Sequence, residues 1–135
     1  MLSELSIKNY ALIDTLQVQF DSGFTCITGE TGAGKSVLLG GLALVLGKRV
    51  DFSHINDLSK KCIIEASFNI ETFNLKSFFE SNDLDFESLT ILRREILPSG
   101  KSRAFINDSP VNLSILAILG EQLIDIHSQQ QTQEL

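Results

Sequence analysis

Cysteine is scarce in this 135-residue chain, which contains only Cys26 and Cys62. The two residues lie far apart in the sequence, and neither belongs to the C-x-x-C spacing typical of zinc and redox sites. The composition therefore gives no support to a disulfide scaffold or a cysteine-based metal centre. It favours buried thiols in a reducing cytosol.

Long hydrophobic runs and an excess of positive charge are also lacking. A membrane-spanning helix needs about 18 or more consecutive apolar residues, whereas the most apolar segment, residues 37–46, is interrupted by Gly40 and Gly41. The first residues follow a polar, strand-like pattern instead of that of a secretory signal. The formal net charge of −6 argues against a general polyanion-binding surface, so a nucleic-acid contact would need a local basic patch.

Apolar periodicity predicts a single domain of strands around a buried helix. Strands are predicted at residues 2–10, 12–20, 24–28, 62–70, 88–97, 102–108 and 121–127. Helices are predicted at residues 36–47, 75–83 and 111–119. The first helix is apolar on nearly every side and ends at Gly47, and the third is expected to close at Gly120.

The segment GETGAGKS, residues 29–36, matches the complete P-loop pattern G-x-x-x-x-G-K-[ST]. Glycines let successive backbone N–H groups point at an anion, and the following helix adds the positive end of its dipole. In this pattern Lys35 reaches the β- and γ-phosphates, and the Ser36 hydroxyl binds Mg²⁺. The motif predicts a nucleotide bound by Gly29, Glu30, Thr31, Gly32, Ala33, Gly34, Lys35 and Ser36.

The residues around the P-loop resemble the start of the ABC-type ATPase heads of the SMC family. The resemblance is carried by residues 5–39, 46–51, 93–111 and 123–135 and covers essentially the whole chain. The ETGA interior of the P-loop, SRAFIND and IHSQ favour the branch of that family that acts in bacterial DNA repair. The resemblance implies an α/β P-loop NTPase fold with ATP and Mg²⁺ as cofactors. Its N-terminal lobe would combine a small mixed sheet, an antiparallel strand layer over residues 62–107 and a buried P-loop helix.

The resemblance also implies a second contact with the nucleotide. Gln129 best matches the Q-loop glutamine that senses Mg²⁺ and the attacking water. The glutamine run leaves the register open among Gln129, Gln130 and Gln131, and a solvated polar tail is the alternative interpretation.

Other single residues carry weaker signals. Asn9 and Tyr10 match positions near the nucleotide base in related heads, and Arg49 matches an arginine near the phosphates or is a solvated loop residue. His54 and His127 are the only histidines and lie too far apart to suggest a metal site. His127, at the end of a predicted strand, favours a structural role.

A basic cluster is predicted on the hairpin formed by residues 88–108. Its members are Arg93, Arg94, Lys101 and Arg103. The cluster is either a contact for DNA phosphates or a charged, solvated edge that protects the hairpin from strand pairing.

A complete head also contains an LSGGE-like signature and a Walker B motif, and neither occurs in this sequence. The chain is therefore expected to be the N-terminal half of a head, residues 1–135, from the Walker A motif to the Q-loop. The implied partners are the C-terminal half of the same head, a second head joined through ATP, and DNA, without a membrane. The implied location is the cytoplasm, at the nucleoid.

The expected function is ATP binding, with hydrolysis once the head is completed, in double-strand break repair and recombination. The chain alone is expected to be inactive as an ATPase. The alternatives are a nucleotide-binding subunit of an ABC transporter and a non-catalytic nucleotide-binding module.

Overall fold

The computed structural model describes residues 2–20, 32–50 and 52–134, without the side chains of residues 32–35, 52 and 124–134. Its six strands form one sheet in the order β2-β1-β3-β4-β5-β6, with every neighbouring pair antiparallel. The strands are β1 (Leu2–Tyr10), β2 (Ile13–Gln19), β3 (Cys62–Asn69), β4 (Leu89–Ile96), β5 (Ser102–Ile106) and β6 (Ser109–Val111). The helices are α1 (Gly32–Val45), α2 (Lys76–Ser81) and α3 (Leu113–Glu134), with a short 3₁₀ turn at Phe52–His54.

Alternation of side chains places one face of the sheet in the core. In β3 the buried residues are Cys62, Ile64, Ala66 and Phe68, and the residues between them are only half-buried. Because successive side chains in a strand point to opposite faces, this spacing gives one apolar and one polar face. Helix α1 packs against the apolar face, mainly over β3, β1 and β4.

The structure confirms most of the predicted elements. Strands occur where the alternating pattern predicts them at residues 2–10, 12–20, 62–70, 88–97 and 102–108, with ends that differ by a few residues. The predicted helix at residues 75–83 is the shorter α2. The strand predicted at residues 24–28 lies outside the described residues. Strands β1 and β2 join the same antiparallel sheet as residues 62–107, so in the described part of the chain the two expected layers are one.

Two tight turns organise the end of the sheet. The predicted turn between β4 and β5 closes with the Leu97 N–H donating to the Lys101 carbonyl at 2.8 Å, and Gly100 has φ 93°. The β5–β6 turn consists of Asn107 and Asp108, both with positive φ, which is the geometry of a two-residue type I′ hairpin. The sequence analysis does not predict β6, whose three residues include a proline tolerated there because β6 is an edge strand.

The prediction for residues 111–127 is wrong in its second half. The structure has one continuous helix, α3, through Gly120 and through the segment predicted as a final strand. Leu116, Leu119 and Leu123 are buried, and their spacing is that of one face of a helix. Gly120 lies inside the helix, and its missing side chain allows the close approach to Leu46, because a Cβ there would collide with the Leu46 carbonyl oxygen. His127 consequently lies in a helix and not at a strand end.

Helix α1 is less enclosed than its apolar sequence predicts. Its inner residues, including Leu38, Leu42 and Val45, are buried, whereas Leu39 on the outer side is 46% exposed. Among the residues that the structure describes, no helix is long and apolar enough to cross a membrane.

Candidate nucleotide site

The predicted P-loop is only partly covered by the described residues. Gly29, Glu30 and Thr31 lie outside them. Gly32, Ala33, Gly34 and Lys35 form the first turn of α1 in their backbone, although their side chains are not described. Ser36 follows in the same helix and is exposed.

The start of α1 has the electrostatics of an anion site. The first N–H groups of a helix have no partner within the helix, and its N-terminus carries a partial positive charge. The first turn of α1 contains no acidic residue that would oppose an incoming phosphate. The helix therefore contributes donors that have no partner within the helix, and a favourable dipole, at the end of the P-loop motif.

Two glycines bring the middle of α1 close to β1. A Cβ on Gly40 would lie 2.5 Å from the Tyr10 hydroxyl oxygen, and a Cβ on Gly41 would lie 2.6 Å from Cδ1 of Ile7. These contacts explain why the helix accepts two residues of low helix propensity. They also show what Tyr10 does in the described structure, where its buried ring packs against α1.

The C-terminus of α1 ends in a Schellman motif. The Lys48 N–H donates to the Ala43 carbonyl and the Gly47 N–H donates to the Leu44 carbonyl, both at 3.1 Å. Gly47 has φ 102°, as the prediction of a glycine cap requires. A Cβ on Gly47 would lie 2.6 Å from the Cα of Ala117, so the helix end also touches α3 closely.

Arg94 completes this helix end from β4. Its Nη1 donates to the carbonyls of Leu44 at 2.8 Å and Lys48 at 2.7 Å, and its Nε donates to the Ser102 hydroxyl at 2.7 Å. The residue is 1% exposed. Burial lowers the pKa of the Arg94 guanidinium. The neighbouring Cys62 thiol is also buried, and its burial raises its pKa to about 11.

The predicted basic cluster is therefore divided between the two faces of the sheet. Arg94 is buried under α1 and is not available to DNA, which corrects its assignment to a surface cluster. Arg93 lies on the opposite face, where it forms ion pairs with Asp108 at 2.8 Å and Glu95 at 3.2 Å and stacks on Phe105. Lys101 and Arg103 are exposed. The sequence contained the signal for this division, because Leu92, Arg94 and Ile96 alternate on one face of β4.

Asn9 serves the loop before β3. Its side-chain Nδ2 donates to the carbonyls of Asp57 at 2.8 Å and Lys60 at 3.1 Å, and its Oδ1 accepts the Asp57 N–H at 2.7 Å. The residue is 7% exposed and has φ 60°. A buried amide with these partners holds the loop in place, a role that the sequence analysis did not predict.

The remaining predicted residues are placed without a described contact to the P-loop. Arg49 is exposed two residues beyond Gly47. Gln129, Gln130 and Gln131 belong to the last part of α3, and their side chains are not described. Among the described residues, no group of three His, Cys, Asp or Glu side chains could hold a metal ion.

Comparison with protein families and curated proteins assigns the chain to a family. The family model described as AAA domain matches residues 4–134. The chain is 44% identical over 136 residues to the DNA repair protein RecN of Vibrio cholerae serotype O1 and 36% identical over 137 residues to RecN of Bacillus subtilis. Each alignment covers 100% of this chain and 24% of the relative, so the chain spans about a quarter of the length of these relatives.

Comparison with solved structures confirms the fold class. A structure from work on ATP-driven dimerization and DNA-stimulated activation of SMC ATPases matches with a TM-score of 0.67 and 21% identity, covering 86% of this chain and 75% of that one. The Smc head domain of Pyrococcus furiosus with an extended coiled coil, bound to the C-terminal domain of ScpA, matches with a TM-score of 0.63 and 20% identity. That match covers 86% of this chain and 31% of the other. At these identities the matches show the fold alone, which is that of an SMC-type P-loop NTPase head.

The family match, the full-length similarity and the shared fold agree. The chain belongs to the AAA domain family and is homologous over its whole length to part of the DNA repair protein RecN.

Proposed function

We propose that this chain binds Mg-ATP through residues 29–36 and forms the N-terminal half of an SMC-type ATPase head. The observation that carries the proposal is the complete P-loop pattern, whose second half begins α1 and whose first helical turn is free of acidic residues. Such a turn stabilises phosphate oxygens through backbone donors and the helix dipole.

Two side chains of the motif would contribute the remaining chemistry. Lys35 would neutralise charge on the β- and γ-phosphates, and the Ser36 hydroxyl would bind the Mg²⁺ that accompanies them. The exposed position of Ser36 in the first turns of α1 supports this role. The bound Mg²⁺ would supply charge neutralisation between the phosphates. Gln129, carried by α3, would be the second contact to this ion and to the attacking water.

The proposal extends to the assembled protein. The homology to RecN supports a role in double-strand break repair and recombination in the cytoplasm, at the nucleoid, with DNA as a partner. The chain spans about a quarter of those relatives. A coiled coil, the C-terminal half of the head and a second ATP-bound head would complete the active unit.

Calorimetric titration of the 135-residue chain with Mg-ATP tests the proposal. We expect binding by the parent chain and no detectable binding by the variant Lys35→Ala. Lys101→Ala is the matched control, because it removes the same charge from an exposed turn outside the P-loop motif. Circular dichroism of both variants should show the parent fold. Equal affinity in Lys35→Ala and the parent would contradict the assignment of residues 29–36 to phosphate.

The same titration with Mg-GTP and with pyrophosphate tests which ligand the proposed site prefers. We expect ATP to bind more tightly than both. Equal affinity for all three ligands would indicate a general phosphate-binding module instead of an ATPase head.

A further inference from the structure

Arg94 is among the largest fully buried side chains in the described part of the chain. Burying a guanidinium is costly unless its donors are satisfied. Its hydrogen bonds go to two backbone carbonyls and one hydroxyl, and in the described residues no carboxylate forms an ion pair with it. Its charge is therefore compensated chiefly by the carbonyl groups at the end of α1.

This end of the helix is suited to a cation. The last carbonyls of a helix have no partner within the helix and carry a partial negative charge. The Schellman motif satisfies the carbonyls of Ala43 and Leu44 from within the chain, and Arg94 adds a second donor to Leu44 and one to Lys48. Because β4 pairs with β3 on one side and β5 on the other, Arg94 ties the helix end to the interior of the sheet.

Two contacts between the middle of α1 and β1 involve the ends of side chains. Over Gly40 and Gly41 the helix touches the hydroxyl end of Tyr10 and the terminal carbons of Ile7. Such side-chain ends can shift by rotation, whereas a guanidinium held at three donor positions cannot do so without breaking hydrogen bonds. The hydrogen bonds of Arg94 thus restrain the end of α1 more closely than these two side-chain contacts restrain its middle.

A small error in the direction of α1 is magnified at its other end. The helix has 14 residues, which corresponds to about 21 Å, so a tilt of about 3° at the C-terminus moves the first turn by roughly 1 Å. The first turn is the part that carries Gly32, Gly34 and Lys35.

We propose that Arg94 is a positioning residue for the nucleotide site. By holding the C-terminal end of α1 against β4 and β5, it fixes the direction in which the helix presents its first turn to the phosphates. This inference rests on the proposed binding of Mg-ATP by residues 29–36. Arg94 itself does not touch the nucleotide.

Substituting Arg94 and its neighbour Arg93 in turn distinguishes a positioning role from a general effect on the stability of the protein. Arg94→Met removes the donors and keeps most of the volume, Arg94→Lys keeps a charge able to reach the two carbonyls, and Arg93→Met makes the matched change on the opposite face of β4. Each variant of the 135-residue chain is titrated with Mg-ATP at a temperature at which circular dichroism shows it fully folded. We expect affinity to fall about tenfold in Arg94→Met, to recover partly in Arg94→Lys and to stay at the parent value in Arg93→Met.

A core variant controls for loss of stability alone. Ile106→Val shortens a buried side chain on β5 and leaves the hydrogen bonds of Arg94 intact, so it should leave the affinity of the folded protein unchanged. If Arg94→Met does not fold, Ser102→Ala replaces it, since that variant removes only the partner of Nε. We expect it to weaken binding by about threefold.

Three results would overturn the inference. A folded Arg94→Met, or Ser102→Ala in its place, that binds Mg-ATP as tightly as the parent would show that the helix end does not set the site. An equal loss in Ile106→Val would assign the effect to general loosening of the core. If the parent binds Mg-ATP, either result leaves the proposed function standing; absence of binding by the parent would remove the function and the inference together.

Discussion

At the scale of single residues, Asn9 is a buried polar side chain that holds several backbone groups in place. It bridges β1 to the loop before β3 through its hydrogen bonds with Asp57 and Lys60, and it adopts a left-handed conformation that asparagine tolerates better than most residues. Asn9→Ala removes the hydrogen bonds and adds strain, so we expect the free energy of unfolding to fall by about 2–3 kcal/mol. Urea unfolding followed by circular dichroism measures the change.

Two further variants separate the causes. Asn9→Gly loses the same hydrogen bonds as Asn9→Ala but adopts the positive φ without strain. It should therefore be destabilised by less than Asn9→Ala. Asn56→Ala, which loses one exposed hydrogen bond to Asp14, should change stability by less than about 0.5 kcal/mol. A cost in Asn9→Ala no larger than in Asn56→Ala would show that the loop does not depend on this amide.

Cys62 makes the free energy of unfolding depend on pH in the alkaline range. Burial raises the pKa of its thiol from 9.0 to about 11. The folded state therefore keeps a proton that the unfolded state loses. The resulting stabilisation is complete below pH 9 and is lost as the pH rises through 11, with a total of up to about 3 kcal/mol.

Unfolding free energies at pH 8 and pH 10.5 test this in a Cys26→Ser background. We expect stability to fall by more in the protein with Cys62 than in Cys62→Ala, because only the former carries the shifted thiol. Parallel losses in the two proteins would show that the thiol is as accessible to water in the folded state as in the unfolded one.

At the scale of elements, the contact between α1 and α3 depends on the missing side chain of Gly120. Alanine favours a helix over glycine by about 1 kcal/mol, but its Cβ would be forced into the Leu46 carbonyl. We expect the clash to prevail, with Gly120→Ala lowering the free energy of unfolding by about 1–3 kcal/mol. Ile118→Ala, at a 46% exposed position of the same helix, is the control and should cost less. A more stable Gly120→Ala in thermal and urea unfolding would mean that the two helices separate at no cost.

The strands were predictable because each follows one simple pattern. In β1 and β3 most buried apolar residues alternate with less buried positions. In β4 burial alternates in the same way, although Thr90 and Arg94 are among its buried residues. The end of α3 was not predictable in the same way. The residues after Gly120 contain an apolar alternation that also fits a helical face, and a glycine inside a helix has the same sequence signature as a glycine that ends one. The tertiary contact with Leu46 decides between them.

At the scale of the whole molecule, hydrolysis at the proposed nucleotide site would need groups that this sequence does not contain. Hydrolysis of ATP needs Mg²⁺ held from two sides, a positioned water and charge stabilisation around the γ-phosphate. The sequence contains neither a Walker B carboxylate nor an LSGGE-like signature. Each absent contact typically costs about 10²–10³ in rate.

We therefore expect the 135-residue chain to show no ATP turnover above background. A phosphate-release assay measures it, with Lys35→Ala as the control for contaminating ATPases. Addition of a C-terminal half containing the two missing motifs should restore activity. Turnover by the chain alone that disappears in Lys35→Ala would show that its own residues suffice for catalysis.

The sequence specifies the proposed phosphate site locally, but not the arrangement of the residues that support it. The spacing of Gly29, Gly34, Lys35 and Ser36 is dictated by phosphate geometry and can be read locally. The burial of Arg94 and the tether formed by Asn9 depend on carbonyl groups that lie about fifty residues away in the sequence. Such partners become neighbours only through the pairing of β1, β3 and β4.

The close contact between α3 and the residues that follow α1 limits how this sequence can vary. Gly47 must adopt a left-handed conformation against Ala117, and Gly120 leaves no room beside Leu46. Neither position can accept a side chain by repacking neighbours, because the atoms opposite are largely backbone. A homologue with a larger residue at either position must therefore have displaced its third helix. Comparing many relatives at these two positions would show which of them share this close contact before any of their structures is solved.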